Sequence, residues 1–239
     1  MLSEKRYLPI GWRNRDPITS LGCFLVHSRA SKSRAVLSVN NAIATAAHES
    51  ETATYCADLQ YQEVEQLIAL FNQTFADTNS RLVRGIGEPI YLPADETTAY
   101  HRIEFAHGFF NSALHEIAHW CIAGTERRKL EDYGYWYCPD GRTADQQQAF
   151  EQVEIKPQAL EWAFSVAARR EFGVSTDNLN GVTPDRTDFA LRVYAQLEAF
   201  LATKFPPRAQ LFIQALQAHY KSAPLTAQRC LSASKDLSS

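Results

Sequence analysis

Residues 112–123, Ser-Ala-Leu-His-Glu-Ile-Ala-His-Trp-Cys-Ile-Ala, constrain this chain more than any other stretch. They hold His115-Glu116-Ile-Ala-His119, an H-E-x-x-H pattern, among good helix formers with apolar neighbours. The composition predicts a helix from about Gly108 to Ala123, ended by Gly124. Positions four apart share a helix face, so both imidazoles reach one ion, at about 2.0–2.1 Å if it is zinc. Glu116 lies about 100° further round and faces a metal-bound water more easily than the metal, which makes it the candidate catalytic carboxylate. The competing reading, two histidines paired by chance, does not account for the glutamate between them on an otherwise apolar helix.

The rest of the chain must supply a scaffold and further donors. A chain of 239 residues with 45% hydrophobic and 21% charged residues builds a core without staples. The net charge of −3 gives no argument for nucleic acid, and no apolar run is long enough to span a bilayer. Cys23, Cys56, Cys121, Cys138 and Cys230 form no C-x-x-C pair; they are expected as free thiols in a reducing cytoplasm. The short run Leu21–Val26 is broken by Gly22 and does not read as an export leader.

Residues 1–57 lack a sustained hydrophobic period. Up to Ala47 they carry Lys5, Arg6, Arg13, Arg15, Arg29, Lys32 and Arg34 against Glu4 and Asp16. A disordered N-terminal extension is expected, with a basic docking arm as the alternative. The folded domain is placed at 58–226 and a frayed tail at 227–239. Within the domain, Val64, Leu67, Ile68, Phe71 and Phe75 mark an amphipathic helix. Arg81–Arg84, Pro89–Leu92 and Arg102–Ala106 are short strand candidates punctuated by Gly85, Gly87 and Pro93. The fold class is therefore α+β: a small β-sheet against several helices, with the metal site on a central H-E-x-x-H helix. His107 reads as a structural or outer-sphere histidine, and Arg127, Arg128 and Lys129 as a solvated face.

Residues 144–171 read as a helix with a kink or break expected near Pro157. Glu151, Glu154, Gln158 and Glu161 share one face of it. Glu151 and Glu161 are expected at solvent, and Glu154 is the candidate third ligand. The loop before this helix, Asp132 to Arg142, is rich in aromatics and serves either core packing or a pocket wall. Two histidines and a carboxylate leave open metal positions. With zinc that set hydrolyses, Glu116 taking the proton of a bound water; with Fe(II) it is the facial triad of non-haem oxygenases. Spacing does not choose between these metals.

Longer motifs do. From about Tyr61 to Thr226 the chain resembles the bacterial elongation factor P hydroxylase family. The resemblance is carried by Glu88-Pro-Ile-Tyr-Leu-Pro-Ala94, Phe105-Ala-His-Gly-Phe109, His115 through Gly124, Gly134-Tyr-Trp-Tyr-Cys-Pro-Asp-Gly-Arg142 and Val153-Glu-Ile-Lys-Pro-Gln-Ala-Leu160. It implies hydroxylation of a lysine of the translation factor after a β-lysyl group has been attached, in the cytoplasm, with molecular oxygen as co-substrate. It also implies a 2-His-1-carboxylate site matching His115, His119 and Glu154, with Fe(II) as the metal and Zn(II) in a hydrolase as the alternative. A lysine bearing a second lysine brings ammonium groups to the site. Glu151 and Asp140 are the candidate carboxylates to attract them, and Tyr135 and Trp136 the candidate pocket wall.

Overall fold

A computed structural model describes residues 58–133 and 140–237. Residues 1–57, Tyr135 and Trp136 lie outside the described residues, so the extension and the aromatic wall are not located by it. Residues 58–74 are helical (α1). Three strands follow, β1 (Ser80–Arg84), β2 (Ile90–Leu92) and β3 (His101–Phe105). They form a sheet in the order β1-β3-β2, with β1 parallel and β2 antiparallel to the central β3. The helices are α2 (Phe110–Ile122), α3 (Ala144–Ala167), α4 (Arg186–Ala202), α5 (Pro207–Tyr220) and α6 (Ala227–Ser232). The α+β expectation holds, and each strand lies within a residue or so of its sequence bounds.

The turn from β3 into α2 fixes where the histidines go. Gly108 there has φ +72°, which strains any residue with a Cβ, and a Cβ would collide with the Arg84 guanidinium. The Ser112 hydroxyl then accepts the Ala106 N–H at 3.1 Å, tying the first turn of α2 back to the end of β3. The apolar side of α2, Ala113, Leu114, Ile117, Ala118 and Cys121, is buried. Phe71 of α1 and Phe75 just beyond its end pack edge-on against Trp120 of α2 with centroids 5.2 and 4.8 Å apart. Of the five thiols, Cys121 and Cys230 are described, and both are free and buried.

The helix α3 packs against α2, α4, α5 and α6. Its start is sealed by a capping box: Gln146 N–H donates to the Thr143 hydroxyl and the Gln146 amide accepts from Thr143 N–H. It runs unbroken through Pro157, so of the kink or break expected there the break is absent. The carbonyl that Pro157 cannot bond belongs to Val153, an exposed residue, so the lost bond falls on the solvent side of the helix.

The C-terminal segment differs from the frayed tail expected from its composition. Cys230 in α6 is fully buried, and the Trp162 indole donates to its carbonyl at 2.9 Å. Beyond α6, Lys235 N–H donates to Phe172 O at 2.7 Å, and Arg186 pairs with Asp236 at 2.9 Å. Six helical residues are too few to show a period, and the surfaces they bury against lie far upstream. Among the described residues no helix is long and apolar enough to cross a membrane.

Candidate metal centre

The i,i+4 spacing on α2 does what the sequence requires of it. His115 and His119 project from one face, and their Nε2 atoms lie 3.0 Å apart. Glu154 comes from α3: its Oε2 is 3.5 Å from His115 Nε2 and its Oε1 is 3.3 Å from His119 Nε2. Two donors from one helix and one from a second therefore converge at a single point. Three ligand atoms at about 2.1 Å from one ion, at angles of about 90–110°, stand about 3.0–3.4 Å from one another. The observed separations, 3.0, 3.3 and 3.5 Å, lie close to that range, with one Glu154 oxygen facing each imidazole. Glu154 Oε2 is buried and has no hydrogen-bond partner among the described residues. A buried carboxylate oxygen left in that state is costly unless a cation meets it. The donor set fits a metal.

Glu161, two turns beyond Glu154 on the same face of α3, completes the arrangement. Its Oε2 lies 2.8 Å from His115 Nδ1. That bond holds the proton on Nδ1 and leaves the Nε2 lone pair aimed at the site, an orientation metal-binding histidines commonly receive from a carboxylate. Glu161 is 9% exposed, so its placement at solvent in the sequence reading is corrected. Its spacing of seven from Glu154 was the signal that pointed to it.

The field of the site favours positive charge. Burial opposes a charge on His115, but the Glu161 hydrogen bond and the charges of Glu161, Glu154 and Glu116 outweigh it and lift the imidazole to about 10. Burial would raise Glu154; the charges of His119 and His115, with hydrogen bonds from His119 and Gln158, hold it at about 2. The carboxylates thus stabilise a cation at the imidazole nitrogens, whether a proton or a metal. Glu116 is half-buried and stands outside the cluster of three donors. Its carboxyl is raised by burial, against the pull of His115 and His119.

The two carboxylates proposed for substrate lie elsewhere in the hydrogen-bond pattern. Glu151 is buried, not at solvent: Gln147 Nε2 donates to its Oε1 at 2.9 Å and Arg192 of α4 pairs with its Oε2. Asp140 Oδ1 accepts the N–H groups of Gly141, Leu179 and Asn180, and its Oδ2 accepts from the Asn180 amide. These bonds, the Asn180 N–H foremost, hold its carboxyl below the usual range. The side chain of His107 lies outside the described residues.

Two histidines and a carboxylate from two packed helices thus bring together three ligand groups with the spacing to hold one metal ion. Residues 70–230 match the family model for Elongation factor P hydroxylase. The chain is also 52% identical over 161 residues, 67% of its own length and 90% of the relative's, to the elongation factor P lysine hydroxylase of Haemophilus influenzae. The chain belongs to the elongation factor P hydroxylase family.

Proposed function

We propose that this protein hydroxylates a lysine of elongation factor P that already carries a β-lysyl group, using Fe(II) at His115, His119 and Glu154 and molecular oxygen as co-substrate. The observation that carries the reading is the convergence of these three donors, with an orphaned carboxylate oxygen among them, in a chain 52% identical to a named lysine hydroxylase. Iron held there by His115, His119 and Glu154 would supply activation of dioxygen, one oxygen atom entering a C–H bond and the other leaving as water with two electrons from an external reductant. The protein's own residues do the rest. Glu161 holds the His115 ring with its Nε2 inward. Before a metal binds, the charges of His119 and His115, with the Gln158 hydrogen bond, hold Glu154 ionised against its burial. Glu116, one residue along from a ligand but outside the donor set, is placed to orient or protonate a species beside the metal. The zinc hydrolase reading, in which Glu116 is the general base, finds no support in the family match.

The reaction belongs in the cytoplasm, where its translation-factor substrate works. Residues 1–57 lie outside the family match, and their deletion is expected to leave turnover unchanged. The main test is direct. Protein purified anaerobically and loaded with Fe(II) is mixed with β-lysylated elongation factor P, oxygen and a two-electron reductant such as ascorbate, and the substrate is weighed by mass spectrometry. A gain of one oxygen atom is expected; no gain with Fe(II), together with proteolysis in the presence of Zn(II), would sink the reading.

A further inference from the structure

We propose that the carboxylate of Asp177, in the loop between α3 and α4, receives an ammonium group of the substrate side chain at the metal site. This rests on the reading that the substrate is an aminoacylated lysine.

The first support is where the backbone runs. The Gln158 amide grips Ser175 from both sides, accepting its N–H at 3.0 Å and donating to its carbonyl at 2.8 Å. Gln147 Nε2 donates to Thr176 O at 3.1 Å. Buried Arg142 donates to Thr176 O at 2.9 Å and also to Asp177 O. Gln147 and Gln158 lie on the face of α3 that bears Glu154, two turns before it and one turn after. The segment 175–177 is therefore strapped along α3 beside the metal ligand. Asp177 itself has φ +47°, in the left-handed region, so a loop fixed at both sides holds this residue in a conformation that few side chains adopt.

The second support is the carboxylate. Glu151 and Asp140 have their oxygens engaged by protein donors, as described above. The Asp177 carboxylate has neither a hydrogen bond nor an ion pair among the described residues. It lies in the field of His115 and Glu154, and burial raises its carboxyl against the partial offset of Arg142 and His115. Such a group gains from a cation that the protein does not provide. It is also outside the cluster of three donors whose atoms lie within 4.8 Å of one another, so it is not a fourth ligand. The carbon to be oxidised must reach the metal, while an ammonium sits further along the side chain. Its counter-charge must therefore stand off from the ion yet remain within the field of the ligands, as Asp177 does.

The left-handed backbone makes the test clean, because asparagine adopts that conformation as readily as aspartate. Asp177→Asn removes the charge and keeps shape and backbone. Iron-loaded wild type, Asp177→Asn and Asp177→Glu are compared on β-lysylated elongation factor P for KM and kcat. Binding of modified and unmodified factor, iron content and Tm are measured alongside. For Asp177→Asn the expected result is a KM raised by about 10–100-fold, with kcat falling far less, since a charged hydrogen bond used in binding is lost. Preference for the modified over the unmodified factor should shrink in the same proportion, and Asp177→Glu should restore part of it. Iron content and Tm should match the wild type. An unchanged KM overturns the assignment, as does equal weakening toward modified and unmodified factor, or loss of iron or of several degrees in Tm. Wild-type protein that adds no oxygen to the factor would instead overturn the hydroxylase reading beneath it, whatever the variants do.

Discussion

His115 Nδ1 and Glu161 Oε2 lie 2.8 Å apart and join α2 to α3 directly beneath the metal donors. A ligand that is itself held by a buried carboxylate has little freedom to rotate out of the site. Replacing Glu161 by alanine should lower Fe(II) affinity by about 10–100-fold. Glu161→Gln should lose less, since its amide oxygen still accepts the Nδ1 proton. Anaerobic titration of Fe(II) into each variant checks this, and wild-type affinity in Glu161→Ala would show that the ring is fixed by other means.

Glu154 and Glu116 are both carboxylates near the imidazoles, and their roles separate by experiment. Glu154 bridges toward both Nε2 atoms; Glu116 does not join the donor cluster. Glu154→Ala should weaken iron binding by more than the roughly 100-fold upper limit for outer-sphere changes. Glu116→Gln should retain iron and lose mainly turnover. If Glu116→Gln loses the metal while Glu154→Ala keeps it, the ligand set is misassigned.

How far the sequence revealed this centre depended on whether the partner of each group was near in the chain. The 3.6-residue period alone placed His115 and His119 on one face, and the same period put Glu154, Gln158 and Glu161 on one face of α3. It did not reveal burial. Glu161 and Glu151 read as solvated because charged residues usually are, and their partners lie 46 and 41 residues away. Asp177 was invisible for the same reason: its position follows from Gln158, Gln147 and Arg142, which only the tertiary fold brings to it. The strands were legible because Gly and Pro bounded them closely. The parallel pairing of β1 with β3 was not, since nothing local distinguishes it from a hairpin.

Glu151 has both carboxylate oxygens engaged by protein donors. Its pair with Arg192 ties α3 to α4, and Gln147 holds the other oxygen. Glu151→Gln should destabilise the fold by about 1–3 kcal/mol, the range for losing hydrogen bonds to a buried charged group. Its KM for the modified factor should change little. Urea unfolding beside steady-state kinetics decides it: a raised KM with unchanged stability would return Glu151 to substrate recognition.

The C-terminal segment should prove part of the folded domain. Truncation after Thr226 removes α6 and with it the buried Cys230, the acceptor of the Trp162 indole, and Asp236. The Asp236 carboxylate receives both the Arg186 guanidinium and, at 2.8 Å, Val174 N–H. Trp162, fully buried and stacked on Phe172 with centroids 4.8 Å apart, would be opened to water on one side. Loss of one buried side chain and of several hydrogen bonds sums to about 3–5 kcal/mol. At about 2–4 °C per kcal/mol for a chain of this size, Tm should fall by about 6–20 °C. The effect should reach the site as well, because Val174 begins the segment that carries Asp177 along α3. Once Asp236 is gone, that segment loses its anchor on the side away from Gln158, and KM for the modified factor should rise even at temperatures where the truncated protein stays folded. Calorimetry gives the first quantity and kinetics well below Tm the second. A truncated protein with wild-type Tm and KM would show that residues 227–237 pack without contributing.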